Sequence, residues 1–237
     1  MNLTHKNCVV TGATEGIGRA IVAALASRGA RLAVCARTAS RVAELVGSLR
    51  ADGRVAVGQA CDVSEEDAVR AFARLVRAEL GPVDVLVNNA GLAHFVPVAE
   101  MATAAFDETM AVNVRGTFLM TRAFLPEMLE RRRGHIVNVA SLAGRNPVPN
   151  AAAYSASKHA VLGFSKSLFA EVRKQGVRVT AVCPGSVVTP FFDKSGGELR
   201  NPDGKLRPED VAETVLAALQ LPERALVSEL DLRPTNP

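Results

Sequence analysis

Residues 8–25 read CVVTGATEGIGRAIVAAL, and this stretch decides the fold. A short β-branched run leads into three glycines, and an apolar, alanine-rich run typical of a helix follows. Gly12, Gly16 and Gly18 suit a tight turn, a close approach of the backbone to a pyrophosphate, and close packing of helix on strand. A helix that begins here offers free N–H groups and a partial positive charge to phosphates. The stretch therefore predicts a nucleotide site, although three glycines by themselves could merely shape a turn.

The same alternation of short β-branched runs and longer amphipathic runs continues along the chain, as in a parallel sheet covered on both faces. We predict an α/β fold, a single Rossmann-type doubly wound domain over residues 1–237 with a seven-stranded, mostly parallel sheet and helices on both faces. Strands are predicted at 8–11, 31–35, 55–60, 83–88, 135–141, 177–183 and 225–232. The long non-periodic stretch at about 186–206 is expected to cover the substrate.

Local signals mark the expected helix ends. Four glycines stand shortly before predicted strands, where a helix C-terminus favours a residue that tolerates the left-handed conformation: Gly29, Gly81, Gly134 and Gly176. Ser64 and Asp67 have the spacing of a capping box, which predicts that a helix begins at this point.

The end of the second predicted strand indicates which dinucleotide is bound. A carboxylate would be expected there to accept a hydrogen bond from a free ribose 2′-hydroxyl. The sequence has Arg37 instead, followed by Thr38, and a planar guanidinium suits a 2′-phosphate. We therefore expect NADP(H) to be preferred over NAD(H). Arg37 could also be a solvated surface residue, and Glu15 in the glycine turn could repel the same phosphate.

Composition excludes several other classes of protein. No apolar run approaches the roughly twenty residues that cross a bilayer, and residues 1–7 lack the apolar core of an export signal, so a cytoplasmic protein without membrane contact is expected. The four cysteines have no metal-ligand spacing, so no metal is expected. The net charge of +4 comes without interleaved aromatic residues, so nucleic acid is not an expected partner.

Tyr154 and Lys158 form the most informative pair of polar residues. They are one helical turn apart, and the same stripe continues through Val161, Ser165 and Leu168, so the lysine lies on a face that otherwise looks buried. A nearby ammonium favours a phenolate and would lower the tyrosine pKa by about 1 to 3 units, toward the range of general acid–base catalysis. The alternative is an amphipathic helix whose lysine reaches out to water.

Taken together, the motifs resemble the short-chain dehydrogenase/reductase family. They are the glycine turn, Asn88-Asn89-Ala90-Gly91 after the fourth strand, Ser141 at the end of the fifth, Tyr154 with Lys158, and Pro184-Gly185 with Thr189 after the sixth. The match spans nearly the whole chain in order. The resemblance implies hydride transfer between NADP(H) and a carbonyl or secondary alcohol, with Tyr154 as general acid and base.

The resemblance also assigns roles to individual residues. It implies a catalytic set in which Ser141 binds the substrate oxygen, Lys158 holds the nicotinamide ribose, and Asn113 steadies a water that links Lys158 to solvent. Asn113 could instead be a helix residue satisfied by backbone. The coenzyme would contact Gly12, Thr14, Glu15, Gly16, Ile17, Gly18, Arg37, Thr38, Asp62, Val63, Asn89, Ala90, Gly91, Tyr154, Lys158, Pro184, Gly185, Val187 and Thr189.

The candidate substrate pocket is mainly apolar, which favours a fairly hydrophobic small-molecule carbonyl. A histidine at such a position is more often a wall residue than a catalytic one. The candidates are His94, Phe95, Leu142, Asn146, Val148, Val187, Phe191 and Phe192.

The chain departs from the family where many members end in a glycine-rich segment, since it ends SELDLRPTNP. This puts the usual tetramer contacts in doubt, although a homodimer or homotetramer is still expected. Two alternative functions stay open. One is a 3-oxoacyl-carrier-protein reductase, for which Arg132, Arg173 and Lys174 could meet an acidic carrier. The other is a non-catalytic NADP(H)-binding redox sensor.

Overall fold

A computed structural model describes residues 1–197 and 201–235, which form one parallel sheet between two layers of helices. The strands are β1 (Asn7–Thr11), β2 (Arg31–Ala36), β3 (Ala56–Ala60), β4 (Val85–Asn88), β5 (Gly134–Val139), β6 (Val177–Pro184) and β7 (Glu229–Leu232). The helices are α1 (Gly16–Ser27), α2 (Ala39–Ala51), α3 (Glu66–Glu79), α4 (Thr103–Met110), α5 (Gly116–Glu130), α6 (Ala152–Val172), α7 (Phe191–Lys194) and α8 (Pro208–Gln220).

The strand order is β3-β2-β1-β4-β5-β6-β7, and every neighbouring pair is parallel. The predicted fold class is therefore confirmed. The order reverses between β1 and β4, and in open α/β sheets a ligand binds in the crevice at the carboxyl end of such a reversal.

Alternate residues along the strands face the two helical layers. On β1, Val10 packs into the core beneath α1, α2 and α8, while Val9 packs into the core beneath α3, α5 and α6. Both faces of the central strands are thus buried, which explains why their sequences read as continuous apolar runs rather than as alternating ones.

Several local predictions about element ends are wrong. Among the strands, the fourth begins at Val85 rather than at residue 83, and the fifth ends at Val139 rather than at residue 141. Ser64 does not cap α3, because its hydroxyl donates to the Asp62 carboxylate at 2.7 Å and the helix begins at Glu66 without a side-chain cap. Gly134 is the first residue of β5 rather than a left-handed helix end; Arg132 takes the positive φ of 50° there. The last strand begins at Glu229 and not at residue 225, because Ala225 closes a turn on Pro222.

The other glycine predictions agree with the structure, since Gly29, Gly81 and Gly176 have φ of 75°, 82° and 77°. The stretch at 186–206 is less irregular than expected. It contains helix α7, a 3₁₀ turn at Pro202–Gly204 and a bridge between Val187 and Leu206. Residues 198–200 of this stretch, and residues 236 and 237 of the predicted domain, lie outside the described residues. Within the described ranges, no helix combines the length and the apolar character that a membrane span requires.

Candidate active site

A cleft opens at the carboxyl ends of the central strands and encloses a cavity of about 720 Å³. This is within the usual size range of small-molecule sites. Every residue predicted above for the coenzyme, the catalytic set or the substrate pocket lines the cavity, except Gly18 and Asn113. Folding therefore brings into one cleft residues that the sequence spreads from the first strand to the seventh helix.

The glycine turn between β1 and α1 is built for close approach. Gly12 and Gly16 have φ of 60° and 51°, which side chains other than glycine rarely adopt. Gly18 does not line the cavity but packs beneath it, where an added Cβ would lie 2.1 Å from the Gly12 carbonyl oxygen. The first N–H groups of α1, like those of any helix, have no intrahelical partner, and the side chain of Glu15 at the N-cap does not accept from them.

Two cations neutralise Glu15, the residue expected to repel a phosphate. Its carboxylate lies 2.9 Å from the Arg41 guanidinium, and it accepts hydrogen bonds of 2.5 and 2.6 Å from Lys194. Arg41 and Lys194 also line the cavity, and neither was singled out from the sequence. Arg41 lies in the first turn of α2, four residues after Arg37, and this proximity in the sequence was the available signal for Arg41.

Arg37, the residue expected at the 2′-phosphate, lies at the rim of the cleft with 62% of its side chain exposed. It contacts Glu108 on α4 at 3.4 Å, and the same carboxylate lies 2.9 Å from His94 Nε2. Thr38 lines the cavity beside Arg37. His94 lines the cavity and is directed at Glu108.

The residues expected to contact adenosine make hydrogen bonds within the cleft. Asn89 donates to the carbonyl oxygens of Thr11 and Gly12 at 3.0 and 3.2 Å, and Thr11 Oγ1 accepts from the N–H groups of Asn89 and Ala90. Asp62 accepts from both the backbone and the hydroxyl of Ser64. Because these side chains are held in place, the cavity has a fixed shape beside them.

Tyr154 and Lys158 project from α6 toward the loop that follows β5. The Lys158 ammonium lies 5.7 Å from the centre of the Tyr154 ring and donates to the Val139 carbonyl oxygen at 2.9 Å. Ser141 has an extended backbone, and its Oγ accepts from the Ala143 N–H at 3.1 Å. The hydroxyl hydrogen of Ser141 thus remains available to donate to another group.

The electrostatics of the pair differ from the prediction. Burial raises the pKa of Tyr154, and the Ser141 side chain opposes the rise in part. Burial also lowers the pKa of Lys158 to about 8. The predicted lowering of the Tyr154 pKa by the ammonium is therefore wrong, because removal of the phenol from water has the larger effect. At neutral pH the arrangement holds a neutral phenol beside a charged lysine.

Asn113 lies beneath the cavity in a π-helical turn at Ala111–Arg115 that joins α4 to α5. Its side chain exchanges hydrogen bonds with the Leu92 backbone at 2.9 and 2.8 Å and donates to Ser157 at 2.9 Å. A Cβ added to Gly91 would lie 3.2 Å from Asn113 Oδ1 and 3.5 Å from the Lys158 ammonium. The asparagine thus lies near the lysine, and π-helical turns are common at functional sites.

Four aromatic rings, those of Phe95, Tyr154, Phe191 and Phe192, cluster along the cavity. The centre of the Tyr154 ring lies 6.0 Å from that of Phe95 and 5.6 Å from that of Phe191. Phe192 stacks on Phe95 with ring centres 5.8 Å apart. Val148 lies in the loop before α6 and is 38% exposed. Two of the predicted pocket residues, Phe95 and Phe191, thus pack beside the Tyr154 ring.

The end of the described chain also reaches the cleft, which the sequence did not predict. Arg233 and Pro234 follow β7 and line the cavity, and Pro234 approaches within 3.3 Å of the position that a Cβ on Gly185 would occupy. The Gly185 N–H donates to the Leu232 carbonyl oxygen at 2.8 Å, which holds this segment against the end of β6. No pattern in the sequence connects Arg233 and Pro234 to the site. Their place becomes visible only from the pairing of β7 with β6.

Comparison with known proteins identifies the family. The family model for short chain dehydrogenases matches residues 6–199. This chain belongs to the short-chain dehydrogenase family. Residues from the glycine turn to α7 fall within the match, so the family's sequence pattern covers all of the cavity lining except Lys205, Arg233 and Pro234.

Relatives within the short-chain dehydrogenase family differ in the substrates their names give. The D-threitol dehydrogenase of Mycolicibacterium smegmatis is 38% identical over 237 residues, which cover 97% of this chain and 91% of the relative. A variant of the actinorhodin polyketide ketoreductase, solved with NADPH, is 37% identical with a TM-score of 0.88, and the match covers 97% of this chain and 96% of that one.

Solved family members also differ in coenzyme. A short chain dehydrogenase/reductase from Burkholderia phymatum, solved with NAD, is 30% identical with a TM-score of 0.88, covering 97% of this chain and 90% of that one. The present short-chain dehydrogenase is accordingly an oxidoreductase that acts on alcohol or carbonyl groups with a nicotinamide dinucleotide.

Proposed function

We propose that the chain is an NADP(H)-dependent reductase of small carbonyl compounds, in which Tyr154 supplies the proton. The observation that carries the proposal is that Tyr154, Ser141 and Lys158 line the same cavity as the glycine turn. The bound dinucleotide would supply the hydride. The protein would supply the proton, the orientation of the substrate and the electrostatic environment.

The cleft fits a dinucleotide. The turn leaves no room for a side chain at Gly12, where an added Cβ would lie 2.9 Å from Ala90 Cα. The unpartnered N–H groups at the start of α1 are suited to the pyrophosphate. Arg37 at the rim, with Arg41 near it, would bind a 2′-phosphate, and both now contact carboxylates that a phosphate would replace.

The state of the phenol suits the proton donation that reduction requires. The raised pKa keeps Tyr154 protonated at neutral pH, so it can donate to a carbonyl oxygen that gains negative charge as the carbonyl is reduced. Ser141 would donate a second hydrogen bond to the same oxygen. Lys158 uses one of its three N–H bonds on Val139, which leaves two for the ribose hydroxyls and for a proton path past Asn113.

Neither alternative function gains support from the site. The basic residues Arg132, Arg173 and Lys174 precede β5 and β6, so they lie at the amino ends of the strands, at the edge of the sheet opposite the cleft. A carrier protein bound there would lie at the edge of the sheet opposite Tyr154, so these residues give no support to the carrier-protein alternative. A redox sensor would need no proton donor, whereas this cleft contains Tyr154 together with Ser141 and Lys158.

Replacement of Tyr154 tests the proposal. We expect Tyr154→Phe to lower turnover by about two to four orders of magnitude and to leave NADPH binding unchanged, since only the proton donor is lost. Turnover is followed by oxidation of NADPH with a panel of ketones, aldehydes, sugars and acyl thioesters. Ser155→Ala is the matched control, because its buried hydroxyl has no partner among the described residues. Full turnover by Tyr154→Phe would remove the phenol from the mechanism.

A further inference from the structure

The aromatic residues of this chain are concentrated at one wall of the cavity. The sequence has nine phenylalanines, one tyrosine and no tryptophan. Three of the phenylalanines, Phe95, Phe191 and Phe192, and the single tyrosine lie in one cluster, with ring centres 5.6 to 6.4 Å apart. We call Phe95, Phe191 and Phe192 the phenylalanine wall. It contacts the proposed proton donor directly.

The backbone fixes the positions of these rings. The Phe95 N–H donates to the Ser195 carbonyl oxygen at 2.8 Å, and Ser195 Oγ donates to the Phe191 carbonyl oxygen at 2.5 Å. Gly197 makes room for the Phe95 ring, since an added Cβ would lie 2.7 Å from the ring carbon Cδ2. The loop after β4 and helix α7 therefore hold the wall jointly, and all three rings are only half-buried beside the cavity.

Polar side chains beside the wall are already engaged. His94 pairs with Glu108 at 2.9 Å, and the Asn146 amide donates to the Leu142 carbonyl oxygen at 3.2 Å. A substrate rich in hydroxyl groups would thus find few hydrogen-bonding partners here. A ring placed at the wall, by contrast, can adopt the offset or edge-to-face geometry that aromatic pairs prefer at centre separations of about 4.5 to 7 Å.

We propose that the substrates are carbonyl compounds with an aromatic ring close to the carbonyl group, and that the phenylalanine wall selects them by ring-to-ring contact. This inference rests on the proposed function and names its substrate class. The carbonyl oxygen would accept from Tyr154 and Ser141, and the substrate ring would contact Phe95 and Phe191. Aromatic contacts of this kind exceed ordinary apolar burial enough to favour an aromatic ring over a saturated one by about two- to tenfold.

The test compares benzylacetone with its cyclohexyl analogue, in which the ring is saturated and the carbonyl is equally reactive. We expect kcat/KM with NADPH to favour benzylacetone about two- to tenfold, and the ratio to approach one in Phe95→Leu and Phe191→Leu. Phe106→Leu is the control, since Phe106 is 43% exposed on α4 and lies outside the cavity. An unchanged ratio in both wall variants, or faster oxidation of a polyol than of the benzylacetone alcohol, would overturn the inference.

Binding of the two ketones to the protein with NADP⁺ gives a readout that needs no turnover, because no hydride is available in that complex. Dissociation constants from calorimetry should show the same preference and the same loss in the wall variants. Equal constants for the two ketones would overturn the inference even if other carbonyls were reduced. Preferential binding without reduction of any carbonyl would support the wall and contradict the proposed reductase function.

Discussion

Lys158 combines burial with a charge at neutral pH. It is 5% exposed, makes no ion pair with any described residue, and has one hydrogen bond, to the Val139 carbonyl oxygen. Burial lowers its pKa to about 8 from 10.5. The unfolded chain therefore binds the proton more tightly than the folded one, so the charge at this position costs stability below about pH 8.

Replacement of Lys158 by methionine should thus stabilise the fold while it abolishes turnover. The pKa difference corresponds to roughly 3 kcal/mol, and loss of the bond to Val139 offsets about 1 kcal/mol, so we expect a gain of about 2 kcal/mol at pH 7. The wild-type disadvantage should shrink as pH rises from about 8 toward 10.5. Urea unfolding at pH 7 and 9.5 measures both effects.

The control for this prediction is Lys166→Met on the same helix. Lys166 is exposed and pairs with Glu229 at 3.2 Å, so its loss should change stability by less than about 1 kcal/mol at either pH. If Lys158→Met were less stable than the wild type at pH 7, the lysine would contribute to the fold rather than to the chemistry alone.

At the scale of elements, β5 and β6 are joined by a buried polar contact. His135 is fully buried, its Nε2 lies 2.8 Å from Thr180 Oγ1, and the Thr180 hydroxyl donates to the Val227 carbonyl oxygen. Burial lowers the pKa of His135 to about 3 from 6.5. The folded state holds the imidazole neutral, so stability is lost as pH falls from 6.5 toward 3.

His135→Leu should remove part of this sensitivity to acid. Between pH 6.5 and 4 the wild type should lose about 3 kcal/mol of unfolding free energy through this one group. The variant should lose correspondingly less, and His159→Leu, an exposed position on α6, should behave like the wild type. Urea denaturation across this pH range gives the comparison, and parallel curves for all three proteins would contradict it.

The elements also show which features a sequence pattern can predict. The seven strands could be predicted because strands buried on both faces appear in the sequence as short, continuous apolar runs. The cleft could be predicted because the glycine turn and the polar motifs follow the ends of these strands. The π-helical turn at Asn113 and the missing cap at Ser64 did not follow, since they depend on hydrogen bonds to distant residues such as Leu92 and to the nearby Asp62. The pKa of Tyr154 was missed for a related reason: its burial depends on the Phe95 and Phe191 rings, from two other segments.

At the scale of the whole molecule, the surface carries features that bear on assembly. Phe106 on α4 and Phe118 on α5 are each 43% exposed, and Arg122 lies over the Phe118 ring. The homodimer or homotetramer predicted from the sequence would cover such residues, and it stays a prediction. The C-terminal segment, unlike these exposed phenylalanines, reaches the cleft, where Pro234 lies against Gly185.

The coenzyme links the cleft to the stability of the whole chain. A ligand that binds only the folded state at one hundred times its dissociation constant stabilises it by about 2.7 kcal/mol, which for a chain of this length raises the Tm by about 5 to 10 °C. We expect NADPH to produce such a rise, and NADH at the same concentration to produce a smaller one, because only the 2′-phosphate engages Arg37 and Arg41.

Arg37→Ala isolates the contribution of the phosphate. Loss of a charge-assisted contact at a partly exposed position should weaken NADPH binding about tenfold, which reduces the NADPH-induced rise in Tm by about 3 to 5 °C and leaves the NADH-induced rise unchanged. Arg54→Ala is the control, since this exposed arginine precedes β3 at the edge of the sheet away from the cleft. An equal reduction of the Tm rise for both coenzymes would mean that Arg37 supports the shape of the cleft through Glu108 and does not bind the 2′-phosphate.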